Sequence, residues 1–401
     1  MSPARQLQGK QLADALMDSR ARTWALVSDL SPAQWLPPHQ LGVNPVAWEL
    51  AHTAWFAEFW ILRGPHHCDD QGFVHAAQPA RHAAPDAVLD SARLAHAQRW
   101  TAALPPREQL RTMLDGQLLA CIDALPAQGD DATLYFHRLA LFHEDMHAEA
   151  YCWMRAALAY PAPAGVALPQ VPPAQLLTVP AAATTIGWPA TEPGFAFDNE
   201  SPALSVALNA FEIDSAPVRA LDFARFVDAG GYDDARYWPH AAGAWRAQSP
   251  CKHPQRWRRT AQGSWQMRWF DQWVDLSEAL PALHVNAYEA QAYCQWARRR
   301  LPTAPEWEHA AATLGDTFHW GHSVWEWTAS DFAPYPGFAP GPYHAYSQPW
   351  FGTHRELRGG AFATHARMHH RRYRNFFQPH RSDVFAGFRA VDEGESWGSP
   401  G

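Results

Sequence analysis

The chain has 401 residues, 47% hydrophobic and 18% charged, with a formal net charge of -8 at pH 7. That length is enough for two ordinary domains, each burying its own core, and excludes a disulfide-stapled miniprotein. The acidic balance gives no electrostatic footprint for nucleic acid and excludes a general DNA or RNA binder. No apolar run approaches the roughly 18 residues of a membrane span. Residues 1–22 mix charged and polar side chains where a signal peptide needs an apolar stretch, so the expected location is cytoplasmic. The five cysteines, Cys68, Cys121, Cys152, Cys251 and Cys294, include no CxxC pair and read as buried thiols. Counts of 21 Trp and 22 His lean toward an aromatic pocket or a histidine-held metal.

In chain order, residues 4–29 space Leu7, Leu12, Leu16, Trp24 and Leu26 as a helix does. Asn44-Pro45 opens a second helix, on which Trp48, His52, Trp55, Phe56 and Phe59 recur at helical spacing, placing His52 on an apolar face. Residues 86–104 read as helical, a third long helix covers 106–125, and a fourth covers 131–160 with Leu139, Phe142, His143, Met146, His147, Ala150 and Met154 on one stripe. Amphipathic helices joined by modest loops predict an antiparallel bundle over 1–160. The prolines of 161–175 read as a linker. From 176 to 392 periodicity fades into short β-like runs with many Gly and Pro, one clear helix at 288–299 and another at 223–229. That pattern predicts an irregular α+β domain, and 393–401 reads as a tail.

His143 and His147 stand four apart on one helix face and can converge on one ion. With His52 they make a three-histidine centre whose remaining positions are open to substrate and dioxygen. The plain alternative is a set of satisfied core or surface histidines. His143-Glu144-Asp145-Met146-His147 also matches the HExxH pattern of zinc metalloproteases, with Glu144 as general base. No further ligand motif follows that helix, and Glu149 is too near His147 to be the third ligand.

The second half carries residues 284–297, Arg300-Leu301-Pro302-Thr303, Val324-Trp325-Glu326-Trp327-Thr328, Leu357-Arg358-Gly359-Gly360, Tyr373-Arg374-Asn375-Phe376-Phe377 and Ala386-Gly387-Phe388-Arg389. In order and spacing these resemble the formylglycine-generating-enzyme domain, a variant of the C-type-lectin fold. Formylglycine-generating enzymes bind copper through a cysteine pair late in that domain, and no cysteine follows Cys294 here, so that activity is not expected. A DinB-like four-helix bundle with HxxxH joined to such a domain resembles the EgtB family, the non-haem iron sulfoxide synthases of ergothioneine biosynthesis. The resemblance covers nearly the whole chain and implies a two-domain α+β protein.

It also implies Fe(II) held by His52, His143 and His147. Hercynine, the trimethylated betaine of histidine, would sit in a pocket supplied mostly by the second domain, and O2 would drive formation of a carbon–chalcogen bond. By the same resemblance Arg374, Asn375 and Phe376 match the betaine-contacting stretch, with phenyl in place of indole. Tyr343 and Tyr346 match active-site tyrosines across a variable loop; their plain alternative is loop packing.

Two positions depart from the mycobacterial-type pattern. Met146 replaces a Gln able to hydrogen-bond the imidazole substrate, and Phe377 replaces an Asp that meets the ammonium group of γ-glutamylcysteine. These departures resemble the selenoneine synthases of the SenA type, and imply a selenosugar, 1-seleno-N-acetylglucosamine, joined to hercynine as a selenoxide. A hercynine oxygenase using γ-glutamylcysteine or cysteine is the alternative. A zinc metalloprotease and a non-catalytic betaine- or sugar-binding module complete the set of readings.

Remaining features have plainer uses. Arg367, His369, His370, Arg371, Arg372 and Arg374 form a basic stretch expected to be mostly ion-paired or solvated. His66-His67-Cys68 is expected in a surface loop, and the Trp-rich 257–273 stretch in a hairpin or core.

Overall fold

The computed structural model describes residues 3–81 and 84–392; the expected tail at 393–401 lies outside them. The chain divides into two compact units, Ser2–Gly165 with Pro193–Phe195, and Val166–Glu192 with Ala196–Gly401.

The first unit is built on helices α1 (Gly9–Ala25), α2 (Pro32–Trp35), α3 (Val46–Leu62), α4 (Asp86–Leu89), α5 (Arg107–Asp123) and α6 (Asp131–Ala157), with a hairpin of β1 (His66–Cys68) and β2 (Val74–Ala76). Local chemistry sets the starts. Ser31 and Gln34 cap α2 reciprocally, and the Asp130 carboxylate accepts from Thr133 N at the head of α6. Leu12, Leu16, Leu134 and Leu141 form a buried cluster shared by α1 and α6. Helix α3 packs on both α5 and α6 and is buried on every side from Trp48 to Trp60, as a central helix rather than a surface one. Each of its large apolar side chains contributes about 1.5–3 kcal/mol by burial.

The predicted helix at 86–104 is not continuous. Only Asp86–Leu89 and a 3-10 segment at His96–Thr101 form, because the Asp90 carboxylate accepts from Ala92 N and Arg93 Nε, offering the backbone a turn in place of a helix. His66-His67-Cys68 is a strand rather than a loop: His67 stacks on His75 across the hairpin and the His66 ring bonds Phe59 O at 2.7 Å. Cys121, Cys152 and Cys294 are buried as expected, whereas Cys68 is exposed and Cys251 intermediate.

The second unit contains β3 (Leu176–Val179), β4 (Ala182–Ile186), β5 (Leu204–Leu208), β6 (Phe211–Asp214), α7 (Ala220–Asp228), α8 (Ala241–Gln248), β7 (Trp257–Arg259), β8 (Trp265–Trp269), β9 (Gln272–Asp275), α9 (Ala287–Trp296), β10 (Arg299–Arg300), α10 (Ala304–Thr313), β11 (Trp325–Asp331), β12 (Arg355–Arg358), β13 (Asn375–Phe377), β14 (Ala386–Gly387) and β15 (Val391–Asp392). The unit has two four-stranded sheets, β10-β15-β6-β3 and β13-β12-β11-β14, together with a separate β4-β5 hairpin and a separate β7-β8-β9 meander. The Trp-rich stretch is that meander, as its composition predicts. Capping boxes from Asn286 and Glu289, and from Thr303 and Glu306, start α9 and α10; α8 and α10 are helices that periodicity alone does not reveal.

Most of the motif residues hold this unit together. Arg389 and Glu326, both 0% exposed as side chains, pair in the core, and Trp307 Nε1 donates to the same carboxylate at 2.8 Å. Glu356 is shared by Arg358 and Arg374. Gly360 adopts φ +132°, and a Cβ there would lie 2.6 Å from the His369 ring, so only glycine fits. Among the described residues no helix is long and apolar enough to cross a membrane.

Candidate metal centre

Helix α3 supplies His52 and α6 supplies His143 and His147. One ligand nitrogen from each ring can be chosen so that all lie within 4.8 Å of one another, and this is the one such group found among the described residues. The three ring centroids are 5.2, 5.1 and 4.5 Å apart. The four-residue spacing within α6 and the packing of α3 against it produce this convergence.

The rings are held from behind. His52 Nδ1 lies 2.7 Å from Leu89 O, so it donates there and leaves Nε2 as the lone-pair nitrogen. His147 Nδ1 lies 2.6 Å from the Glu49 carboxylate, a carboxylate–histidine pairing that raises ligand basicity. Glu49 is itself fixed by Asn44 Nδ2 at 3.2 Å, and Asn44 Oδ1 accepts from Arg99 at 2.8 Å. Arg99 lies over Trp48, whose indole is stacked on His52. His143 stacks on Phe56 with ring centroids 3.6 Å apart and planes 4° from parallel. Burial, then the neighbouring imidazoles, pushes His52 and His143 well below the usual histidine pKa, so both are neutral at pH 7, as a metal donor must be.

Three imidazole donors without a thiolate fit a borderline transition metal such as Fe(II). The donor set therefore fits the group that the resemblance implies. The outer partners, Glu49, Asn44, Arg99 and the Leu89 carbonyl, are absent from the sequence reading. Glu49 reads in the sequence as an ordinary first-turn acid, three residues before His52. Glu49→Ala is expected to weaken metal binding by roughly 10–100-fold, measured by chelator competition; unchanged affinity would remove Glu49 from the site.

The metalloprotease reading loses its general base. Glu144 makes two hydrogen bonds to Arg20, at 2.6 and 3.1 Å, with both side chains almost fully buried, and Asp145 accepts from Ser19.

Met146 lies on α6 directly before His147 and is partly buried. The other expected site residues stand in the second unit. Tyr346 stacks on Phe197, meets Phe376 edge-on at 5.5 Å, and has its hydroxyl 3.2 Å from that of Tyr373. Burial and the adjoining Tyr373 push the Tyr346 phenol well above its usual pKa, so it stays protonated. Tyr343 lies 6.0 Å from Tyr346, ring to ring. Phe376 stacks on Phe332 at 4.1 Å.

Side chains alternate along β13, an edge strand paired to β12, so Asn375 and Phe377 share one side and Phe376 takes the other. The three residues do not make one flat surface. Phe377 lies beneath the Arg381 guanidinium at 5.0 Å. Arg374 departs from the substrate-binding expectation: it donates to Glu356, Asn199 O and Ala333 O and is 2% exposed, so its guanidinium is spent on anchoring the start of β13. Arg372 pairs with Glu192, as expected for a fold-maintaining member of the basic stretch.

The sequence matches two known families, the DinB superfamily over residues 15–150 and the sulfatase-modifying factor enzyme 1-like domain over 166–323 and 323–394. It is 31% identical to the hercynine oxygenase of Mycolicibacterium thermoresistibile over 94% of both chains. It is 30% identical to that of Mycobacterium tuberculosis over 95% of this chain and 98% of the relative. The formylglycine-generating enzyme of Bos taurus is 30% identical over only 38% of this chain and 44% of its own length.

Proposed function

This chain belongs to the hercynine oxygenase family of iron-dependent oxygenases, and we propose that it joins a chalcogen nucleophile to the imidazole carbon of hercynine at the expense of O2. The observation that carries the reading is the convergence of His52 and His143, both buried, with the partly exposed His147, Nδ1 of His52 and of His147 being tied back to Leu89 O and Glu49. Bound there, Fe(II) supplies the electron transfer that dioxygen chemistry requires. In net balance, one imidazole C–H and one donor S–H or Se–H are lost, the C–S or C–Se bond forms, one oxygen atom goes to the chalcogen, and the other leaves as water.

The protein's own residues bind and orient. Imidazoles pre-positioned by Leu89 O and Glu49 keep the ligand face ordered before substrate arrives. A quaternary ammonium accepts no hydrogen bond and is held by aromatic faces, which Phe376 and Tyr346 offer together. Asn375 stands on the other side of the edge strand, so a betaine touching both residues straddles that edge. Tyr346, protonated and held by Tyr373, is the proton donor of this reading, with Tyr343 beside it.

For the donor, the relatives favour a thiol of the ergothioneine type, γ-glutamylcysteine or cysteine, over the selenosugar. The selenosugar reading rests on Phe377, which offers no salt bridge to an amino-acid ammonium and lies under a cation, and on Met146. The test is to incubate Fe(II)-loaded protein and hercynine in air with each donor and identify the coupled product by mass. Product from none of them overturns the function. Phe377→Asp is expected to shift preference toward γ-glutamylcysteine by about tenfold, the value of one charge-assisted contact. An unchanged preference would remove Phe377 from donor selection.

A further inference from the structure

Tyr343 and Tyr346 stand on the connection between β11 and β12, in loop and 3-10 turns with no strand ladder to hold them. Such segments open locally unless something outside ties them down. What ties this one is distant in sequence: the 3-10 turn Asp198–Glu200 and the residue before it.

Two successive residues there grip two successive residues of the loop. The Phe197 ring stacks on Tyr346 with centroids 4.6 Å apart. The Asp198 carboxylate gives one oxygen to the Ser347 hydroxyl and the other to Gly341 N at 3.3 Å, so it accepts from both ends of the stretch that bears the tyrosines. Ser347 is 0% exposed, and between the two ties the backbone closes on itself, Tyr346 N donating to Tyr343 O at 3.1 Å.

The grip stands on a fixed base. Glu200, 0% exposed, accepts from Phe197 N at 2.7 Å, and its carbonyl accepts from Trp188 N at 2.7 Å. The same segment reaches β13: Phe197 lies 5.5 Å from Tyr373, ring to ring, and Asn199 O accepts from Arg374 at the start of that strand. The tyrosine loop and the strand carrying Phe376 are thus both referenced to residues 197–199. Burial pushes the Asp198 carboxyl above its usual pKa while the Ser347 and Gly341 donors pull it back, so a costly desolvation is offset by these two bonds.

We propose that Asp198 is the positioning residue of the tyrosine loop, clamping Gly341 and Ser347 so that the Tyr346 hydroxyl stays against that of Tyr373 and is aimed at substrate held on Phe376. The aim at substrate rests on the proposed function; the clamp does not. Asp198 acts through Tyr346 and touches no reacting group.

Hydrogen exchange read by mass spectrometry on the full chain tests the clamp. In Asp198→Ala the amides of 341–350 are expected to exchange about tenfold faster or more, the value of a hydrogen bond to a charged group, with α3 and α6 unchanged. Ser347→Ala, a milder change that removes one donor, is expected to move the same amides in the same direction. Unchanged exchange in both variants overturns the clamp, as does an even loosening of the second unit in both.

The part in the reaction is read from a double variant. Asp198→Ala is expected to lower kcat by between about ten- and a hundredfold, as misplacing a group by about an ångström does. In a Tyr346→Phe background it is expected to cost nothing further, with product measured by mass over a long incubation so that slow turnover registers. A merely destabilised protein would lose the same factor in both backgrounds, and that result overturns positioning through Tyr346. Failure of the wild type to couple any donor strikes the proposed function and leaves the exchange result standing.

Discussion

His143→Ala is expected to abolish coupling to every donor, with product formation and hercynine-dependent O2 uptake falling by roughly three orders of magnitude, beyond the 10–100-fold typical of an outer-shell partner. His143 is one of the three histidines of the proposed centre, as enclosed as His52 and lying flat against Phe56, so water replacing it would enter an apolar wall. The truncation also opens a cavity and costs stability of order 2–3 kcal/mol. His143→Gln, which keeps the volume, separates the two effects: it is expected to retain near-native Tm and still lose iron. Iron stoichiometry after anaerobic reconstitution, read with product mass, checks this. Either variant holding one equivalent of iron and forming product would remove His143 from the centre.

The second large effect is on folding. Arg389→Met leaves the Glu326 carboxylate buried with Trp307 Nε1 as its remaining neighbouring donor, and also strips donors from Asp214 O and His319 O. Breaking such a pair costs about 3–5 kcal/mol, enough to unfold the second unit near physiological temperature. Converting Glu326 to Gln in the same chain is expected to recover part of the loss, because an uncharged amide is cheaper to bury than an unpaired carboxylate. Urea unfolding of the single and double variants measures both; a single-variant loss below about 1 kcal/mol would show the pair to be dispensable.

How far the sequence could be read follows from what kind of signal each element carries. His143 and His147 were legible because helix geometry is fixed by spacing, and His52 because it interrupts an apolar helix. Glu49 and the Leu89 carbonyl were not, because a backbone acceptor leaves no mark in composition and Glu49 looks like an ordinary first-turn acid. The break after Leu89 was missed because Asp90 and Arg93 are compatible with a helix until their mutual hydrogen bond is seen. Family motifs placed Arg374 near substrate, yet its partners on Asn199 and Glu356 come from distant sequence and were invisible.

The first unit is not closed by its own stretch of chain, since Pro193–Phe195 returns to it from beyond the Pro-rich segment. Phe195 N bonds Arg5 O, its ring stacks on Phe142 next to His143, and Gly194 N donates to the Asp131 carboxylate. The helical half is therefore not a detachable module. A gene fragment ending at the prolines would encode the helices α1 to α6 without the staple that sits beside His143, so whatever ancestry the two halves had, in this protein they are inherited as one folding problem.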